Sequence, residues 1–190
     1  MIRAFIAMEL KDQETIKEIA LFTTRLRQNQ PKLKLVEPQN LHITVKFLGD
    51  ISESLAPKIY KIIQEDINEK VFKGQSYEYF LKGAGQFNKF SVLWIKLNGD
   101  INFLQKVKDN TEKSLNEKLN TEFDKRTTFK PHLTIGRLKS NKINYKTFNT
   151  FKKLIQDARN LEFGTFRINQ LKLKKSVLTP KGPIYSDLVY

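Results

Sequence analysis

Asn40-Leu-His-Ile-Thr-Val-Lys-Phe-Leu-Gly49 and Lys130-Pro-His-Leu-Thr-Ile-Gly-Arg-Leu-Lys139 are the two stretches that decide how this chain folds. Aligned, they share the histidine, the threonine and a later leucine, with aliphatic residues matched between. In an extended strand, residues two apart share a face. His42 and Thr44 therefore point one way while Leu41, Ile43, Val45 and Phe47 point the other, and His132 and Thr134 oppose Leu133 and Ile135 in the same manner. Each stretch reads as a strand with an apolar core face and a polar face bearing one imidazole. The two lie 90 residues apart in a chain of 190, which suggests a duplication.

The flanking sequence supports that reading. Arg3 to Leu10 reads as a strand and Glu14 to Arg27 as an amphipathic helix. Short strands at Leu33–Val36 and Leu41–Leu48 are separated by a turn at residues 37–40, and Ser52 is the expected N-cap of a helix running past Ile67. Residues 77–87 and 91–97 form a strand pair, followed by a helix over 102–119, a strand over 128–138 and a helix over 145–158. Strands near 166–173 and 184–189 close the chain around a Pro180, Lys181, Gly182, Pro183 turn. The expected fold is α+β: one domain over 1–190, built as two lobes about a pseudo-twofold axis, with two antiparallel sheets facing a central groove and helices outside. Each lobe contributes one motif, residues 42–45 and 132–135.

Composition narrows the chemistry. With no cysteine, disulfides, thiolate catalysis and Cys-based zinc sites are excluded, and a cytoplasmic protein is expected. Glu9 and Lys11 interrupt the apolar N-terminal stretch, so no membrane partner is expected. The net charge of +14 is concentrated in residues 96–190, which carry +11 of it. Such a surplus suits a polyanion, and nucleic acid is the natural partner, although lysines on solvated faces give the same count.

The chain has two histidines, and both are followed two positions later by threonine. With 13 threonines in the chain, chance would arrange this about once in 200 sequences. Two imidazoles without clustered carboxylates or thiols suit acid–base chemistry rather than metal binding, because a catalytic zinc needs a third protein ligand. No metal and no cofactor are expected. On a cyclic phosphodiester, one neutral histidine takes a proton from water while the other, protonated, donates to the departing sugar oxygen. The Thr44 and Thr134 hydroxyls are candidate donors to the phosphate oxygens. Arg137 is a candidate phosphate ligand or a surface ion-pair residue. Strict alternation puts it on the wrong face, so the first role requires a bulge near Gly136.

These residues resemble the 2H phosphoesterase superfamily, and within it the RNA 2′,3′-cyclic phosphodiesterases historically called 2′-5′ RNA ligases. The likeness runs from Arg3-Ala-Phe-Ile-Ala through both motifs and the segment ending Val92-Leu-Trp94 to Ser176, Gly182-Pro183 and Tyr185. It implies a bilobal fold, His42 as proton donor to the leaving 3′ oxygen, His132 as the base activating water, and Thr44, Thr134 and Arg137 on phosphate. The implied substrates are RNA or nucleotides ending in 2′,3′-cyclic phosphate, acted on by a monomer. Two other readings stay open: ATP-independent 2′-5′ ligation at the same site, and a non-catalytic RNA-binding module. Phe47, Phe87, Phe90 and Trp94 are aromatic candidates for base stacking, none included in the expected site; alternation assigns Phe47 to the apolar face.

Overall fold

The computed structural model describes residues 1–179 and 182–190, so Pro180 and Lys181 of the expected turn lie outside the described residues. The elements are β1 (Ile2–Glu9), α1 (Gln13–Asn29), β2 (Lys34–Leu35), β3 (His42–Ile51), α2 (Ala56–Ile62), β4 (Tyr77–Phe87), β5 (Val92–Asn98), α3 (Ile101–Leu119), β6 (His132–Arg137), α4 (Phe148–Asp157), β7 (Glu162–Ile168), β8 (Lys172–Thr179) and β9 (Gly182–Asp187). The strands form two antiparallel sheets, ordered β3-β1-β8-β9 and β2-β6-β5-β4-β7.

Local chemistry sets the helix starts. Asp12 accepts the Thr15 backbone N–H at 2.8 Å and Asp100 accepts that of Phe103 at 3.0 Å, each satisfying a donor that the first turn leaves unpaired. Ile19, Phe22 and Leu26 then recur on one face of α1, and Leu104, Val107 and Leu115 on one face of α3, all buried. Ser52 is not the cap of the next helix. Its hydroxyl lies 3.0 Å from that of Ser54, and α2 begins only at Ala56, with Pro57 in the first turn where its missing N–H costs nothing. α2 then widens into a π-helical stretch, Ile63–Phe72.

Two expected strands and one helix change their limits. Residues 128–131 are outside β6, which begins at His132, and α4 begins at Phe148 rather than Tyr145. The single strand expected over 166–173 is two, β7 and β8, broken at residues 169–171, where Asn68 holds Leu171 through its side-chain amide at 3.0 Å and 2.8 Å. An apolar run crossing a tight connection does not reveal the break.

The helices cross over. β1–α1–β3 and β5–α3–β6 have the same plan: a strand, a helix, and a return strand that pairs antiparallel with the first. Yet α1 packs behind β6 and β7 of the second sheet, with Phe22 edge-on to Phe163 at 5.2 Å, while α3 packs against β3 of the first sheet. Each sheet's apolar back is thus covered by the helix connecting the other sheet's strands. Burying a side chain such as Ile43 or Leu133, both 0% exposed, stabilises the fold by about 1.5–3 kcal/mol.

One polar strut crosses this core. Lys46 of β3 is 4% exposed, and its Nζ reaches Glu112 Oε1 at 3.2 Å, Asp124 Oδ1 at 2.9 Å and the Glu122 carbonyl at 2.9 Å. Lys108 adds a second ammonium at 2.7 Å from Glu112. The cluster ties β3 to α3 and to the segment leading into β6.

Candidate active site

β3 and β6 come together, with Cα atoms within 8 Å of one another, and this approach sets their polar faces beside each other. Opposite His42 on β1 is Glu9, opposite Thr44 is Ala7, and opposite Phe47 is Phe5. Opposite His132 on β5 is Lys96, opposite Thr134 is Trp94, and opposite Arg137 is Val92. Both pairings slip after the threonine. Lys46 faces Ile6 while Thr44 faces Ala7, so Val45 is supernumerary; Gly136 faces Leu93 while Thr134 faces Trp94, so Ile135 is supernumerary. The same bulge thus occurs at the same position of both motifs.

A bulge inverts the alternation beyond it. Lys46 and Gly136 turn to the buried side, and the next residues, Phe47 and Arg137, join the histidine face. This supplies the bulge that Arg137 required. It also corrects the position of Phe47, which is on the groove face, 69% exposed and 6.2 Å from the Phe5 ring, and not on the apolar face that strict alternation assigned.

The imidazoles are held alike. His42 Nδ1 lies 2.6 Å from the Asn40 carbonyl oxygen and His132 Nδ1 2.9 Å from that of Lys130, each two residues upstream. A carbonyl only accepts, so the proton is on Nδ1 in both rings. Nε2 is then the nitrogen available to a substrate, as base when neutral and as acid when charged.

Their surroundings differ. His42 lies between Phe5, 4.9 Å away, and Tyr185, edge-on at 5.2 Å. Burial pushes its pKa below the ordinary histidine value; the Asn40 hydrogen bond and Glu9 oppose this, and Lys174 and Arg137 add to it. The charge of Arg137 is also felt at Tyr185 across the groove, where burial raises the phenol and Arg137 and Arg3 counteract it. Beneath His42, Glu9 pairs with Lys172 at 2.7 Å and with Lys174, which also binds Asp187 at 2.6 Å. Burial raises the Glu9 carboxyl, and hydrogen bonds from the two lysines outweigh it, keeping it ionised through the neutral range.

Around His132 the neighbours are Phe87, edge-on at 5.1 Å, and Trp94, which packs 5.2 Å from Phe87. The indole lies on Gly85, where a Cβ would fall 2.3 Å from Trp94 Cη2, so only glycine permits this packing. Phe90 is elsewhere, against Phe148 and Phe151 of α4. His42, Thr44, His132, Thr134 and Arg137 thus share one groove. The sequence reading missed Glu9, Lys174 and Phe5, whose place follows from the register of β1 against β3 and β8; that alternate residues Arg3, Phe5, Ala7 and Glu9 share a face was the one signal available.

The AKAP7 2′5′ RNA ligase-like domain family matches residues 4–186. The chain belongs to this family. This 2H phosphoesterase is 38% identical to the RNA 2′,3′-cyclic phosphodiesterase of Methanocaldococcus jannaschii, with 96% of each chain covered. It is 30% identical to the protein of the same name from Methanothermobacter thermautotrophicus, covering 98% of this chain and 96% of that one. Its fold is that of a solved phosphoesterase (TM-score 0.70, 18% identity, covering 99% of this chain and 95% of the other) and of E. coli LigT complexed with 3′-AMP (TM-score 0.62, 18% identity, covering 99% and 95%). The described part of this 2H phosphoesterase has no helix long and apolar enough to cross a membrane.

Proposed function

We propose that this protein is an RNA 2′,3′-cyclic phosphodiesterase that opens terminal cyclic phosphates to 2′-phosphomonoesters by two-histidine acid–base catalysis, without a metal. The observation that carries the reading is the pair of imidazoles on adjoining strands, each with Nδ1 committed to a carbonyl and Nε2 left for chemistry. Water attacks phosphorus, forming a new P–O bond, and gives its proton to His132 Nε2. The P–O3′ bond breaks in line, and His42 delivers a proton to the departing 3′ oxygen. Thr44 and Thr134 donate to the non-bridging oxygens, and the Arg137 guanidinium takes two of them in parallel as charge builds.

The acid must carry its proton although burial disfavours the charged ring in the free protein. The substrate itself corrects this. Its phosphate brings a negative charge beside His42 and neutralises Arg137, one of the groups holding the His42 pKa down. Binding therefore loads the acid.

We read residues 1–190 as a single domain of two lobes, each supplying one His-x-Thr strand; the shared bulge supports the duplication, and the exchanged helices make each lobe dependent on the other. A groove complete within one chain requires no second copy, so the working form is a monomer, and we place it in the cytoplasm.

The test is turnover of a short RNA ending in a 2′,3′-cyclic phosphate, in excess EDTA, by the parent protein, His42→Ala and His132→Ala. The expected result is a 2′-phosphate product, insensitive to EDTA, with each substitution lowering kcat by about 10²–10⁴-fold. Turnover that survives loss of either histidine, or vanishes in EDTA, overturns the mechanism.

A further inference from the structure

β4 is longer than its neighbour allows. β7 pairs with it from Tyr77 to Lys82 and Gly83 donates its N–H to the Leu161 carbonyl, so residues 84–87 have β5 on one side and no strand on the other. Around this open edge is a cavity of about 500 Å³ lined by β4 residues Lys82 to Gln86, by Phe90, Trp94 and Lys96, and by Ile155, Gln156 and Arg159 beyond the edge. The cavity adjoins the site, because Trp94 touches Phe87 and Phe87 touches His132.

Its lining is specific in two respects. Lys96 and Arg159 have no ion-pair partner among the described residues, whereas Lys82 is paired with Glu162 at 2.8 Å. Ala84, Phe90 and Ile155 contribute apolar wall between these polar groups. Two cations without ion-pair partners among the described residues, set around an apolar wall, fit a group that is anionic at one end and flat and apolar at the other.

We propose that this cavity binds a nucleotide of RNA other than the one whose cyclic phosphate reacts, which makes the protein an enzyme of RNA ends rather than of free cyclic nucleotides. The inference rests on the proposed activity, since it takes the reacting phosphate to lie at His42 and His132. The nucleotide comes either from the strand bearing the cyclic phosphate or from a strand whose 5′-hydroxyl replaces water. Arg159 holds its phosphate, and the wall formed by Ala84, Phe90 and Ile155 receives its base.

The experiment compares the parent with Arg159→Glu, an exposed residue. Three substrates are used: a 2′,3′-cyclic mononucleotide, a four-nucleotide RNA ending in a cyclic phosphate, and that RNA together with a 5′-hydroxyl RNA. Direct binding of the 2′-phosphate-ended tetranucleotide is followed by fluorescence anisotropy against salt. For Arg159→Glu the expected result is unchanged mononucleotide turnover, a KM for the tetranucleotide raised about three- to tenfold, and a log–log salt slope of binding shallower by about 0.7, one phosphate contact on a single strand. A loss confined to strand joining instead assigns the cavity to the incoming strand. Equal loss on all substrates would place the reacting nucleotide in the cavity and overturn the proposal, and so would no change on any. Absence of turnover in the parent, with RNA binding intact, counts against the proposed activity; the binding and salt data then decide on the cavity alone.

Discussion

β3 and β6 follow the same path and differ in what surrounds them. Both start with a histidine whose Nδ1 is tied two residues upstream, and both carry a bulge after the threonine. Past the bulge the copies diverge: Lys46 and Phe47 in the first, Gly136 and Arg137 in the second. Across the strand pair the contrast repeats, with Glu9 facing His42 and Lys96 facing His132. The shared backbone path thus places two imidazoles alike, and in the proposed mechanism the residues beside them divide the labour. A symmetric pair of histidines in identical surroundings would titrate alike, whereas acid–base catalysis needs one charged and one neutral.

The largest effect is expected at the buried member of the first divergent pair. Lys46→Met leaves Glu112 and Asp124 with Lys108 alone in the core, and breaking such a cluster costs about 3–5 kcal/mol, read as a lower urea midpoint. Gly136→Ala, at the matching position, places a Cβ 3.3 Å from Leu33 Cδ1 and the Lys34 carbonyl and costs about 1 kcal/mol. Equal losses would show that the two positions do the same structural task.

Next comes the exposed pair. Arg137→Ala is expected to lower kcat by about 10²–10³-fold, the usual consequence of losing one donor to a charge-developing oxygen. Phe47→Ala should leave kcat unchanged, since a phenyl ring offers phosphate no hydrogen bond; any effect belongs in KM. A fall in kcat for Phe47→Ala as large as that for Arg137→Ala would break the division of roles.

The smallest effect concerns Glu9. Its carboxylate supports the charged form of His42 and offsets Lys174, which opposes it. Glu9→Gln removes the support and leaves Lys174 less compensated, so both changes push the His42 pKa down. In the pH profile of kcat/KM, the limb that titrates with His42 moves to lower pH, and neither apparent value rises. An upward displacement would mean that Glu9 acts on His42 by another route.

The positions of His42, Thr44, His132 and Thr134 were legible in the sequence because period-two alternation is a local property: where the side chain of residue i+2 points follows from residue i without knowledge of any partner. The helices expected from Glu14 and from residue 102 are local in the same sense, and the caps at Asp12 and Asp100 start each of them one residue earlier. Ser52 misled because a serine before an apolar run looks like a cap, and whether its hydroxyl meets a backbone N–H depends on the turn it enters. The bulges at Val45 and Ile135 were beyond local reading, since a bulge is defined by the strand opposite. Hence Phe47 was assigned to the wrong face, and Arg137 could be placed on the right one only on condition.

By itself, then, the sequence determined two His-x-Thr strands, their apolar and polar faces, and the absence of thiol chemistry, because composition and alternation need no third dimension. Tertiary structure alone decided which residues stand beside the histidines. Glu9, Phe5 and Lys174 meet His42 through strand register, Arg137 influences His42 from the other sheet, and the exchanged helices α1 and α3 hold the sheets together. Those contacts join residues up to 165 positions apart, as between Glu9 and Lys174, and only the closing of the chain on itself sets them.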